Sequence, residues 1–349
     1  MLRIFRTLVF FLLMNPWSVY AQLGGQDTYS FLDLSGSARA TAVGGAFYGA
    51  PRGDLSLAIS NPALLNEKVH KHLSFNTGFY LAGTNYGQIA YGHYAKKIKT
   101  TFSTSANYVS FGKFEGADPS GNLTGNFKAG SFYLAGAAAR QWKNFSYGAQ
   151  LKFIFSSIEQ YNSMGIGLDV SAGYFNEDRN LTLTMLLRNV GAELKSYVSG
   201  QKREDLPLDM SFALSKRFEK IPLRLNLVAH HLQKWDLTRP KEKKNNNQQI
   251  IGSATTTERG VIDKMFAHLI TGLEIDVAKP VSLRLGYDHL RRIELASTEK
   301  KGLTGFTAGF GISIQQFRID YAFEKYSSIG SLNQIGLSVN LNDFGNKTN

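Results

Sequence analysis

The side chains best suited to acid–base work are His230 and His231 with Asp236, and Asp288 with His289. Either group could polarise a hydroxyl or bind a proton, but a general base acts only on a nucleophile within hydrogen-bond reach. No nucleophile motif adjoins either group. His70 and His72 form the nearest approach to a metal pair, yet the chain has no cysteine and no HExxH spacing to complete it. GGAFYGAPRG, Gly44 to Gly53, has the glycines of a phosphate loop without its strand, lysine and helix. The expectation is a protein that is not an enzyme, with no catalytic residue, metal or cofactor. Its function must then lie in the elements that carry these side chains.

Those elements alternate with period two. In FSYGAQLKFIFS, Phe145, Tyr147, Ala149, Leu151, Phe153 and Phe155 take every second place, with Ser146, Gly148, Gln150 and Lys152 between them. A strand sends these two sets to opposite faces. The pattern returns at Met164–Tyr174, Leu223–Ala229, Val281–Tyr287 and Phe317–Phe323. It predicts fourteen strands: 72–80, 86–96, 99–113, 127–141, 145–157, 164–175, 181–190, 207–218, 221–233, 267–278, 281–291, 304–314, 317–326 and 332–341.

Two architectures use such strands, a soluble sandwich and a membrane barrel. The connections separate them. Those after even-numbered strands are two to five residues long, whereas 114–126, 191–206, 234–266 and 292–303 are long. Tight turns on one rim and long loops on the other characterise outer-membrane barrels. Lys152, Asp169, Arg224, Glu274, Arg284, Asp288, Arg318, Asp320 and Glu324 share the face opposite the aromatic one, so the expected lumen is polar and charged. On this reading Leu151→Arg disrupts assembly and Lys152→Gln is tolerated.

Arg3 and Arg6 before the apolar run Leu8–Met14, with Val19-Tyr20-Ala21 as a cleavage site, predict a signal peptide over residues 1–21. Gly 34, Phe 24 and Tyr 16 against Pro 8 suit strands and aromatic belts. The net charge of +12 suits an acidic lipid or partner surface at an exported protein better than nucleic acid.

About eight strands give a lumen that side chains can fill; fourteen leave more space. Residues 22–70, rich in Ala, Gly and Ser and lacking long alternation, are expected to fill it as an N-terminal plug, with Asn61 capping a short helix that begins at Pro62. The barrel is placed at 71–343 and a tail at 344–349.

The stretches DTYSFLDLSGSARATAVGGAF and DLSLAISNPALLN, through Ser37-Ala38-Arg39, Gly44-Gly45 and Asn61-Pro62-Ala63, resemble the start of the PorQ/PorV group of the Bacteroidetes type IX secretion system. That group falls in the fourteen-stranded family typified by the fatty-acid transporter FadL. The resemblance implies an outer-membrane component of the attachment complex, holding a PorZ-like surface protein near PorU, PorV and lipopolysaccharide; the long loops, chiefly 234–266 and 114–126, are the expected docking surface. The second reading is a FadL-like transporter of small hydrophobic molecules. It requires an apolar pocket in the lumen, for which Leu55, Leu57 and Ile59 are the candidates.

Overall fold

A computed structural model describes residues 28–118, 120–200, 203–238, 241–242, 256–257, 259–295, 302–325 and 330–344. The expected signal peptide lies outside these residues.

Fourteen antiparallel strands close into a barrel: β1 (His72–Phe79), β2 (Asn85–Ala95), β3 (Thr100–Ala117), β4 (Leu123–Trp142), β5 (Phe145–Ile158), β6 (Tyr161–Asn176), β7 (Leu181–Lys195), β8 (Asp209–Arg217) and β9 (Leu223–Ala229), then β12 (Leu269–Ala278), β13 (Val281–Asp288), β14 (Phe306–Ile314), β15 (Phe317–Glu324) and β16 (Leu332–Asn340). A two-stranded ribbon, β10 (Lys241–Glu242) with β11 (Thr256–Thr257), interrupts the β9–β12 connection. Each barrel strand pairs with its neighbour along the chain, and β16 closes on β1 from His72↔Asn340 to Phe79↔Asn333. No edge strand remains, so each strand is hydrogen-bonded on both sides through the barrel, as hydrocarbon demands.

The two faces separate as the alternation requires. On β5, Tyr147 is 53% exposed and Phe153 47%, while Gln150 is 1% and Lys152 2%. Only an apolar solvent accommodates a continuous outward belt of Phe, Tyr, Leu and Ile, and shifting the register by one residue would turn the charges into that belt.

The strand ends depart from expectation on the long-loop rim. β3 and β4 continue through 114–126, pairing Lys113 with Lys128 and Gly116 with Gly125, and turn over Asp118, whose carboxylate accepts from the backbone N–H of Ser120 and Asn122. The expected 114–126 loop is therefore a projecting hairpin. β7 runs five residues beyond its predicted end because Asn189, at φ 58°, makes a bulge that reverses the parity after Arg188. Helices Val261–Ala267 and His289–Leu295 stand on the same rim, where strand had been expected at 289–291.

Candidate functional site inside the barrel

Residues Thr28–Lys71 contain only short turns of helix: Ser30–Asp33, Ala38–Thr41, Leu55–Ala58, Pro62–Leu64 and Glu67–Val69. Asp54, Asn61 and Asn66 each accept a hydrogen bond from a backbone N–H two residues on, which starts the last three. Such a segment leaves many backbone groups without internal partners, and inward-facing strand side chains satisfy them. Asn76 accepts from Ala38 N at 3.0 Å, Thr307 donates to Ala42 O at 3.1 Å, Asn226 to Ala46 O at 3.0 Å, Thr184 to Tyr48 O at 3.0 Å, and Ala63 N donates to Ser171 at 2.8 Å. The segment thus touches strands on all sides of the lumen.

Arg39 is one member of a closed ring of charge. Its Nε and Nη2 donate to the two oxygens of Glu274 at 2.9 and 2.7 Å, and its Nη1 to Asp54 at 2.9 Å. Glu274 also accepts from Arg284 Nε at 2.8 Å, Arg284 Nη1 reaches Asp320 at 2.8 Å, Arg318 Nε reaches Asp320 at 2.9 Å, and Arg318 Nη1 lies 3.4 Å from Asp54. Three guanidiniums alternate with three carboxylates around the ring, and a fourth, Arg224, stands 3.8 Å from Glu274. Burying them unpaired would be prohibitive. Gly311 of β14 makes the ring possible, since a Cβ there would stand 2.6 Å from both Arg284 Nη2 and Asp320 Oδ1.

The other motif residues also position the segment. Ser37 Oγ is 2.9 Å from Ser56 Oγ; the Asn61 amide donates to Tyr48 O at 2.7 Å; Pro62 lies against Gly148. Gly44 and Gly45 adopt φ of 102° and 100°, and Gly44 meets the wall where Gly286 has no side chain, backbone against backbone. Leu55, Leu57 and Ile59 are buried in a packed cluster. They pack with Val43, Phe47, Leu64 and Val69 of the segment and with Ala90, Ala137, Ala139 and Phe175 of the wall.

A second apolar cluster lies nearer the long-loop rim. Tyr29, Phe31 and Leu32 meet inward-facing Tyr86, Val109, Ile154 and Leu332, with Leu206, Tyr80, Phe111 and Tyr133 around them. Tyr29 shares a hydrogen bond with Ser163, and its hydroxyl is pushed up to about 12, chiefly by burial. This is the site that the polar reading of the lumen missed. The inward parities of Tyr86, Val109 and Ile154 were readable, but their convergence was not.

The acid–base candidates engage nearby groups on the rims. The His230 and His231 rings are 4.8 Å apart, His231 Nδ1 is 3.5 Å from Asp209, Asp236 pairs with Lys264 at 2.6 Å, Asp288 accepts from Arg291 N at 3.1 Å, and His289 Nδ1 is 2.8 Å from the Tyr287 hydroxyl. His70 Nδ1 accepts from Tyr94 N at 3.1 Å. These are contacts that hold the rims.

No protein-family model and no curated protein matches the sequence. Among solved structures, the Ralstonia pickettii toluene transporter TbuX superposes with a TM-score of 0.53 at 12% identity over 88% of this chain and 98% of its own. The P. putida toluene transporter TodX gives 0.51 at 12% over 88% and 99%. A deltaS2 mutant of the TodX monoaromatic hydrocarbon channel gives 0.53 at 13% over 88% and 98%. This chain has the fold of a FadL-like outer-membrane barrel. It resides in the outer membrane. These neighbours are channels and transporters rather than enzymes, and they overturn the secretion-complex reading. The physical reason for the error is visible. Arg39, Gly44, Gly45, Asn61 and Pro62 seat an internal segment against a barrel wall, a task that says nothing about a surface partner.

Proposed function

We propose that the protein passes small hydrophobic molecules across the outer membrane, with Thr28–Lys71 serving as a plug that fills the lumen. One observation carries this reading: the aromatic and aliphatic cluster of Tyr29, Phe31, Tyr86, Val109, Ile154 and Leu332 inside a barrel whose other inward positions are largely polar. Apolar lining with a few placed polar groups is what small-molecule sites require. Here Tyr29 and Ser163 supply the polar groups. The toluene transporters TbuX and TodX support the class of cargo. The ring around Arg39 supports a plug that stays seated at rest, because its departure would separate the Arg39–Glu274 and Arg318–Asp54 ion pairs and the Ala38–Asn76 hydrogen bond at once.

Equilibrium binding of toluene to the purified barrel in detergent tests the reading. Saturable binding lost in Ile154→Asp, which puts a carboxylate into the cluster, is the expected result. Equal partitioning into wild type, variant and empty micelles refutes it.

A further inference from the structure

The wall between β3 and β6 departs from the rest of the lipid-facing belt. Its periplasmic half holds an apolar groove of about 380 Å³, with Gly136, Ala138 and Ala149 as floor and Phe102, Leu151 and Leu168 as sides. Small outward residues here leave open space; a Cβ on Gly136 would meet nothing within 4 Å. Arg140 follows Ala138 on the same outward face of β4, about 7 Å away at the usual rise per residue. Thr100 pairs with Arg140, which brings in the β2–β3 turn carrying Lys96, Lys97 and Lys99. Lys143 lies in the β4–β5 turn, its Nζ 5.6 Å from the Trp142 ring centroid. All five cations are exposed, and among the described residues none forms an ion pair with a carboxylate. Tyr147 is exposed beside Arg140, and Trp142 and Phe145 are exposed one step nearer the turn, where amphipathic rings mark the membrane interface.

We propose that this sector binds one anionic glycerophospholipid, its acyl chain in the groove and its phosphate on Arg140 and the lysines of the two turns. The groove opens onto hydrocarbon, so its occupant is an acyl chain. The cations stand where a headgroup of that leaflet begins, and short turns face the periplasm. Five unpaired cations complement a net-negative headgroup and gain nothing from a zwitterion of zero net charge. A folded partner would find only the turns, not the groove.

Trp142 reports on the site directly. With Trp235→Phe, it is the one tryptophan left after residue 21. In bilayers containing phosphatidylglycerol or phosphatidylcholine with brominated chains, the quenching of Trp142 gives the relative association of each lipid. The expected preference for phosphatidylglycerol is about fivefold or more, the worth of one basic contact. The double variant Lys99→Gln, Arg140→Gln should bring it close to one, and Arg179→Gln, on the β6–β7 turn, should leave it unchanged. Gly136→Phe should fill the groove and reduce quenching by both lipids without disturbing the barrel. Equal association of both lipids with wild type overturns the proposal. So does a preference that survives Lys99→Gln, Arg140→Gln, one that falls equally with Arg179→Gln, or binding of an acidic protein to these turns without any lipid preference.

Discussion

Arg39 and Glu274, 235 positions apart in the chain, face each other inside the barrel with two parallel hydrogen bonds of 2.7 and 2.9 Å. A planar fork meeting a carboxylate in this way fixes orientation as well as charge. Because Arg39 belongs to the N-terminal segment and Glu274 to β12, this pair ties that segment to the barrel wall.

Arg39→Ala leaves Glu274 and Asp54 without their common partner, a loss of about 3–5 kcal/mol for a broken buried pair. Chemical unfolding of the folded barrel in detergent should show it, together with faster proteolysis after residue 28. Arg39→Lys should recover only part, since an ammonium cannot form the fork. Equal stability of all three proteins would mean that the ring is ornamental.

Close approach of Gly44 to Gly286 makes a second prediction. Gly286→Ala places a methyl group against the backbone of Val43 and Gly44 and should displace the segment, whereas Gly136→Ala on the outer wall should be neutral. Hydrogen exchange of residues 38–48 measures this. Similar protection in the two variants would contradict the seating described.

Neighbouring residues on β5 separate lipid from lumen. Leu151→Arg turns a charge toward hydrocarbon at about 2–4 kcal/mol near the midplane and should block the heat-modifiable folded form. Lys152 pairs with Asp169 at 2.7 Å and donates to Asn189 at 2.8 Å. Lys152→Gln therefore assembles but leaves Asp169 without its cation, so the tolerance expected from the alternation alone is replaced by a measurable loss of stability. Normal folding of Leu151→Arg would reverse the assigned faces.

The long-loop rim should respond to acid. Burial, with help from His231, holds His230 down to about 4 against the pull of Asp288 and Asp209. An unfolded histidine titrates at about 6.5, so the folded state binds this proton less readily. The stability from the neutral ring is complete above about pH 6.5 and falls as pH drops toward 4. Amide exchange around 230–232 should quicken across that window and flatten in His230→Gln. No pH dependence in the wild type would refute the assignment.

Strand number and facing were legible because lipid imposes period two on every strand it touches. Fourteen strands follow the alternation, including β9, where Leu225 and Leu227 face out and Asn226 and Val228 face in. Legibility ends where that constraint ends. β3 and β4 project past the membrane through polar residues that read as a loop, and the Asn189 bulge hides the end of β7. The charged lumen residues were readable singly, but the Arg39–Glu274–Arg284–Asp320–Arg318–Asp54 circuit depends on contacts between distant segments. The apolar cluster escaped for the same reason, and with it the stronger functional reading.

Uptake of radiolabelled toluene by cells carrying the protein in a porin-deficient outer membrane tests the central claim most directly. Entry faster than in vector-only cells, saturable and abolished by Ile154→Asp at equal surface abundance, is the predicted result. Entry at the vector rate, with the barrel correctly assembled, would contradict it.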